Sequence, residues 1–220
     1  MIEVIQWDCL EVMKEIKDNS IDLVITDPPY GMSFQSWYRK VKHKKIIWDS
    51  NLDRLDDFLS HIKRVSKPEA HLYIFCSLHF VDVFVSNAKI HLPYKNIIIR
   101  EKNNTGMGDL YWDYAPKYEF IIYCSNWKKK LNWSRDPNIY KSDRTNNELH
   151  PTQKPTRLIR YLISKSSKGW DSVLDCFAWS WTTWVACKEL WRDCILIEKE
   201  PKYIETIKKR LATTTISLFH

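Results

Sequence analysis

"VLDCFAWSWTTWVACKELWRDCILIEKE", residues 173–200, is the stretch that decides the fold. An apolar run ends near Asp175, a short loop follows, a helix-like segment starts at Thr182, and a second apolar run closes at Glu198. Strand, crossover helix and strand form the unit from which α/β domains are wound. Asp175 and Glu198 lie 23 positions apart. That is near the spacing at which an acid reaches a ribose hydroxyl across a nucleotide-binding βαβ unit. Thr182 and Thr183 stand where they can cap the helix. No G-x-G-x-x-G or phosphate-cradling loop is present, so a dinucleotide is not the expected ligand. The loop "FAWSWTTW" poses the difficulty, because backbone must approach a ligand closely there and tryptophan is the bulkiest side chain.

Working outward, short apolar runs alternate with helical patterns over most of the chain. Strands are predicted at 2–6, 21–26, 71–76, 95–100, 118–124, 172–177 and 194–198, and helices at 9–16, 54–65, 79–89, 155–165, 182–190 and 201–211. This is an α/β chain with a mostly parallel sheet. Two long irregular stretches, 31–50 and 125–154, interrupt the rhythm, and loops of that length are usually functional.

The chain has 220 residues, room for one domain with a substantial core. No run of about 18 apolar residues occurs, and the N-terminus lacks a basic signal region, so a cytoplasmic location without a membrane is expected. The six cysteines sit singly in apolar segments with no C-x-x-C pair, which reads as reduced core thiols and no metal. A formal charge of +7, concentrated in "RKVKHKK" (39–45) and "KKK" (128–130), suits a polyanionic partner. Only 4 residues are glycine, under a third of the usual share of about 7%, while 11 are tryptophan.

Two further motifs carry chemistry. "IDLVITDPPYGM" (21–32) is an apolar strand ending in Asp27-Pro28-Pro29-Tyr30. Two prolines fix φ and donate no N–H, so the turn is stiff. An acid and a carbonyl acceptor held beside an aromatic ring suit the grip of a flat heterocycle bearing an amino group. Hydrogen bonds from that amine to Asp27 and the Pro28 carbonyl localise its lone pair and aim it at an electrophile. Tyr30 can stack on the base, as a flipped-out nucleotide requires. "HPTQKP" (150–155) enters an amphipathic helix, "TRLIRYLISKS".

In this order the three elements resemble the amino-group DNA methyltransferases that use S-adenosylmethionine. They are most similar to the permuted group in which D-P-P-Y precedes H-P-T-Q-K-P and then an F-x-G-x-G loop. The resemblance runs from about Ile2 to Leu211, as one methyltransferase domain followed by a tail, 212–220. It implies a Rossmann-like sheet of about seven strands with helices on both faces. It also implies that Asp27, Pro28, Pro29 and Tyr30 form the target-amine site. The cofactor positions it implies are Asp175, Phe177, Ala178, Trp179, Ser180, Trp181 and Thr182, with Glu198 on the ribose hydroxyls and Asp8 near the adenosine. Lys154 is expected to approach the methionine end of the cofactor or the lid over it. D-P-P-Y, rather than S-P-P-Y, favours adenine N6 over cytosine N4 as acceptor. Double-stranded DNA is the implied substrate, with a cognate restriction endonuclease and a homodimer as further partners. Residues 31–50 are expected to form a mobile substrate loop and 103–149 the target-recognition region.

The departure from the family is local. Where its loop reads F-x-G-S-G-T-T-G, this chain has tryptophan at 179, 181 and 184. Trp191 in "KELWRD" and Trp7 in "QWDCLEVM" also replace expected glycines, and Trp112, Trp127, Trp133 and Trp170 stand in turn-like polar settings. Independent drift would not choose tryptophan each time. Glycine codons GGA and GGG each lie one base from UGA and UGG, so a gene in which UGA is read as glycine would give this pattern when translated with UGA as tryptophan. The expectation is that the chain with these tryptophans binds S-adenosylmethionine poorly. A DNA-binding homologue without activity is the alternative if they are genuine.

Overall fold

Why the predicted strands are continuous apolar runs is clear from their place in the sheet. In the computed structural model β3 (Ser66–Cys76) is central, and its side chains alternate between two cores. Leu72, Ile74 and Cys76 point into one, and Tyr73 and Phe75 into the other. A strand covered on both faces has no polar side to show. The structure describes residues 1–29, 54–105, 111–112, 114–126, 129–142, 154–179, 181–201 and 203–205. The expected mobile loop at 31–50, Tyr30, Ser180, most of "HPTQKP" and the 212–220 tail lie outside these.

The remaining elements, in chain order, are β1 (Ile2–Ile5), α1 (Cys9–Glu15), β2 (Ile21–Thr26) and α2 (Leu55–Val65) before β3. After it come a 3-10 turn at Leu78–Phe80, α3 (Val81–His91), β4 (Tyr94–Lys102), β5 (Tyr118–Ser125) and β6 (Ile139–Ser142). The chain then forms α4 (Thr156–Ser166), β7 (Ser172–Asp175), α5 (Thr182–Glu189) and β8 (Asp193–Ile197). Residues 201 and 203–205 are helical, and the rest of the expected last helix is outside the described residues.

The eight strands form one sheet in the order β1-β8-β7-β2-β3-β5-β4-β6. β5 pairs antiparallel with β3 and β4, while every other pairing is parallel, so β5 alone runs against the rest. The expected strand count of about seven becomes eight because β6 lies in the stretch read as irregular. It is a four-residue edge strand, "IYKS", whose exposed Ile139 and Lys141 alternate with half-buried neighbours, so no apolar run announces it.

Helices cover both faces. α1, α2 and α3 pack on one core and α4 and α5 on the other. In α2 the buried Leu55, Phe58, Leu59, Ile62 and Val65 recur at helical spacing, with Asp56 and Asp57 in the first turn and Lys63 and Arg64 in the last, as the helix dipole favours. All six cysteines are buried and unpaired. Among the described residues no helix is long and apolar enough to cross a membrane.

Candidate active site

In an open parallel sheet the binding crevice lies beyond the carboxyl ends of the strands, where the winding direction reverses. Here β2 passes through α2 to β3 on one face, and β7 passes through α5 to β8 on the other. The reversal therefore falls between β2 and β7, which pair in parallel at Leu23–Val173 and Val24–Leu174. Asp27 follows β2 and Asp175 ends β7. Glu198 follows β8, and Asp8 follows β1. Four acids expected to act together are thus delivered by the ends of four adjacent parallel strands.

Two adjoining cavities run along these ends. One, of about 30 Å³, is bordered by Asp27, Lys154, Asp175, Phe177, Trp179 and Trp181. The other, of about 60 Å³, is bordered by Asp8, Pro29, Phe177, Trp179, Glu198 and Tyr203. Phe177 and Trp179 border both, so the two are halves of one cleft divided by the loop after β7.

The loop is anchored by backbone and by Asp175. The Phe177 N–H donates to Asp175 Oδ1 at 3.1 Å, the Thr183 hydroxyl donates to Asp175 Oδ2 at 2.6 Å, and the Ala178 N–H donates to the Ile197 carbonyl at 3.0 Å. Burial pushes the Asp175 carboxyl up to about 7, against those two hydrogen bonds and with the charge of Asp27 adding to the rise. Glu198 is also pushed up to about 7, first by burial and then by Asp175 and Glu200, although the Glu200 N–H donates to it at 2.7 Å.

Asp8 differs. It caps α1, accepting from the Leu10 N–H at 3.0 Å, and pairs with Arg54 at 3.0 Å and Lys199 at 3.1 Å. Burial opposes its charge, but the two cations and the Leu10 N–H outweigh it and hold the carboxyl below its usual range.

Lys154 of "HPTQKP" is buried, and it places Nζ 2.7 Å from Asp27 Oδ2 and over the Phe75 ring at 5.1 Å. Burial works against its charge, yet Asp27 and Glu119 raise its affinity for the proton. The Thr182 hydroxyl donates to the Lys154 carbonyl at 3.1 Å, which ties the start of α5 to this lysine. The expectation that Thr182 and Thr183 cap α5 is therefore corrected. The cap position belongs to Trp181, which makes no side-chain cap bond, and the two hydroxyls serve Lys154 and Asp175 instead.

Two residues were missed. Arg100 on β4 donates to Glu119 on β5 at 2.8 Å, and both act electrostatically on Lys154, extending the Asp27–Lys154 pair into a chain of charges. Burial would raise the Glu119 carboxyl, but Lys154 and Arg100 bring it down to about 2. The available signal is Glu119 within the largely apolar β5 and Arg100 closing the Ile97–Ile99 run of β4. Tyr30 and Ser180, both expected at the site, lie outside the described residues.

Known proteins match this chain over nearly the whole of its own length. The type II methyltransferase M.HpaI of Haemophilus parainfluenzae is 28% identical over 230 residues, 93% of this chain and 72% of its own. M.HinfI of Haemophilus influenzae is 28% identical over 244 residues, 94% of this chain and 67% of its own. The crystal structure of an M1.HpyAVI–SAM complex superposes with a TM-score of 0.75 at 28% identity, covering 96% of this chain and 100% of that one. PvuII DNA methyltransferase (cytosine-N4-specific) shares the fold, with a TM-score of 0.76 at 17% identity over 92% of this chain and 83% of its own. The profile of the N6/N4 DNA methylases matches residues 21–209, and the chain belongs to that family.

Proposed function

We propose that the chain methylates the exocyclic N6 of adenine in double-stranded DNA, with S-adenosylmethionine as methyl donor. The observation that carries this reading is the placement of Asp27 at the winding reversal, beside Asp175 on the neighbouring strand and two strands from Glu198. Ribose hydroxyls need acceptors, and Glu198 offers a carboxylate at the mouth of the cleft half that Asp8 also borders. That half offers the donor's ribose its acceptors. Neither half has room for the donor with tryptophan in the loop, because the spaces of about 60 Å³ and, beside Asp27, about 30 Å³ hold only a few waters and Trp179 borders both.

The chain's own work is done on the amine. Asp27 and the Pro28 carbonyl accept hydrogen bonds from the amino group and hold its lone pair out of conjugation with the ring. Pro28 and Pro29 are buried, so the acceptors are not free to follow the substrate. Lys154 fixes the carboxylate of Asp27 through an ion pair that is itself nearly out of solvent. Tyr30 is assigned the stacking role on the flipped base. DNA would be positioned by the cations of 39–45 and by the 103–149 region, where Tyr111 and Tyr114 are exposed. The type II naming of both Haemophilus relatives supports a cognate restriction endonuclease as partner, and a homodimer and a cytoplasmic location accompany that reading.

The test is sequencing, with base-modification detection, of DNA from a host expressing the chain with glycine at the nine suspect positions. N6-methyladenine at one short motif is expected, and it should vanish with Asp27→Asn. N4-methylcytosine would transfer the reading to the other branch of the family, and unmodified DNA would defeat it.

A further inference from the structure

The disagreement between the cofactor and the loop has a backbone origin. Among the described residues, five that are not glycine have φ in the left-handed region: Asn19 at 52°, Trp133 at 60°, Trp170 at 68°, Trp181 at 60° and Trp191 at 59°. Asparagine is the residue besides glycine that enters this region readily, whereas tryptophan is bulky and gains nothing there. Half of the eight described tryptophans lie in a region that a few per cent of non-glycine residues occupy, on the order of one chance in ten thousand if the placement were indifferent to residue type.

Each local setting names glycine independently. After α5, the Arg192 N–H donates to the Cys187 carbonyl at 2.9 Å and the Trp191 N–H to the Lys188 carbonyl at 3.3 Å. Those nested bonds are a Schellman motif, and Trp191 occupies its left-handed position, where glycine is the usual residue. The Asp171 N–H donates to the Lys168 carbonyl at 3.2 Å, closing a turn whose third residue is Trp170. A positive φ there is the type II geometry, which glycine satisfies. Trp181, with φ 60° and ψ 15°, precedes the first turn of α5.

The side chains tell the same story from the other direction. Trp7, Trp112, Trp133, Trp170 and Trp191 are 63% to 89% exposed, which leaves large apolar rings in water. Trp181 and Trp184 are the opposite case: both are buried, and neither indole N–H has a hydrogen-bond partner. Buried indoles normally find an acceptor for that hydrogen. A tryptophan that is either exposed or buried with its polar atom unsatisfied is one the fold has not accommodated.

We infer that positions 7, 112, 127, 133, 170, 179, 181, 184 and 191 carry glycine in the protein its own host makes, the codon being UGA read as glycine. Trp37 and Trp48, outside the described residues, remain tryptophan. The four glycines become thirteen, about 6% of the chain and close to the usual share. The loop after β7 then has glycine at 179 and 181, and the cleft beside Asp27 loses two indole rings. This holds whether or not the chain methylates DNA, because it rests on backbone and composition.

The decisive observations are the nine codons and the peptides of the protein isolated from its host. UGA at all nine, UGG at 37 and 48, and glycine masses in the peptide spanning 177–191 are expected. UGG codons or tryptophan masses at the nine would overturn the inference and leave a DNA-binding chain with a filled cofactor cleft. A second measurement reads the backbone alone. Trp191→Gly and Trp191→Ala lie at a helix end, outside both cavities. The positive φ predicts a higher thermal midpoint for the glycine variant, although alanine is the better helix former. An equal or higher midpoint for alanine would remove the geometric support.

Discussion

The turns after β2 and after β7 sit side by side at the same end of the sheet, and they solve opposite problems. On the function proposed, the first, Asp27-Pro28-Pro29, presents fixed acceptors, and proline gives rigidity without any need for unusual φ. The second must bring backbone close to a ligand and then enter α5 through a left-handed residue. On that same reading it works through the absence of side chains, so it is the turn that tryptophan would undo. A site built from side chains survives translation errors elsewhere, whereas a site built from bare backbone does not.

The sharpest way to break this comparison is to restore the second turn. Trp179→Gly with Trp181→Gly and Trp184→Gly should take S-adenosylmethionine affinity from undetectable to micromolar by isothermal titration, and equal affinity of the two chains would dissolve the contrast. Next in size is Lys154→Met, which leaves Asp27 without its buried cation. A loss of about 3–5 kcal/mol in denaturant unfolding is expected, as for other broken buried pairs.

The acids of the second region should show in the pH dependence. Glu198 has its proton affinity raised to about 7, so between about pH 4 and pH 7 the folded chain holds a proton that the unfolded chain has released. Its contribution to stability therefore falls as pH rises through that window, by on the order of 3 kcal/mol in all. Glu198→Gln should flatten that part of the profile, leaving the part due to Asp175. In the glycine-restored chain, cofactor affinity should rise over the same window, because the ionised carboxylate is the better acceptor. The smallest effect is Thr183→Val, which removes the 2.6 Å bond to Asp175 and should cost about 1–2 kcal/mol in denaturant unfolding.

Much of the fold was legible because doubly covered strands must be apolar and the helices between them amphipathic. β6 escaped, since an edge strand of four residues answers to its pairing with β4 rather than to its own pattern. The site was partly legible for a different reason. Asp27 and Glu198 end apolar runs, and a charged residue at such a place has few structural uses. Arg100 and Glu119 lie inside strands, and only the antiparallel pairing of β4 with β5 brings them together. The hydroxyls of Thr182 and Thr183 looked like caps because local sequence cannot show that Lys154 and Asp175 wait within reach.

By itself the sequence determined the α/β class with a mostly parallel sheet, the stiff Asp27-Pro28-Pro29 turn and the excess of tryptophan over glycine, since each is written in local pattern and composition. Only the tertiary structure decided that four acids meet across one reversal of winding and that Lys154 pairs with Asp27. It also decided which tryptophans lie at left-handed backbone, because φ is set by the path the chain must follow between packed elements.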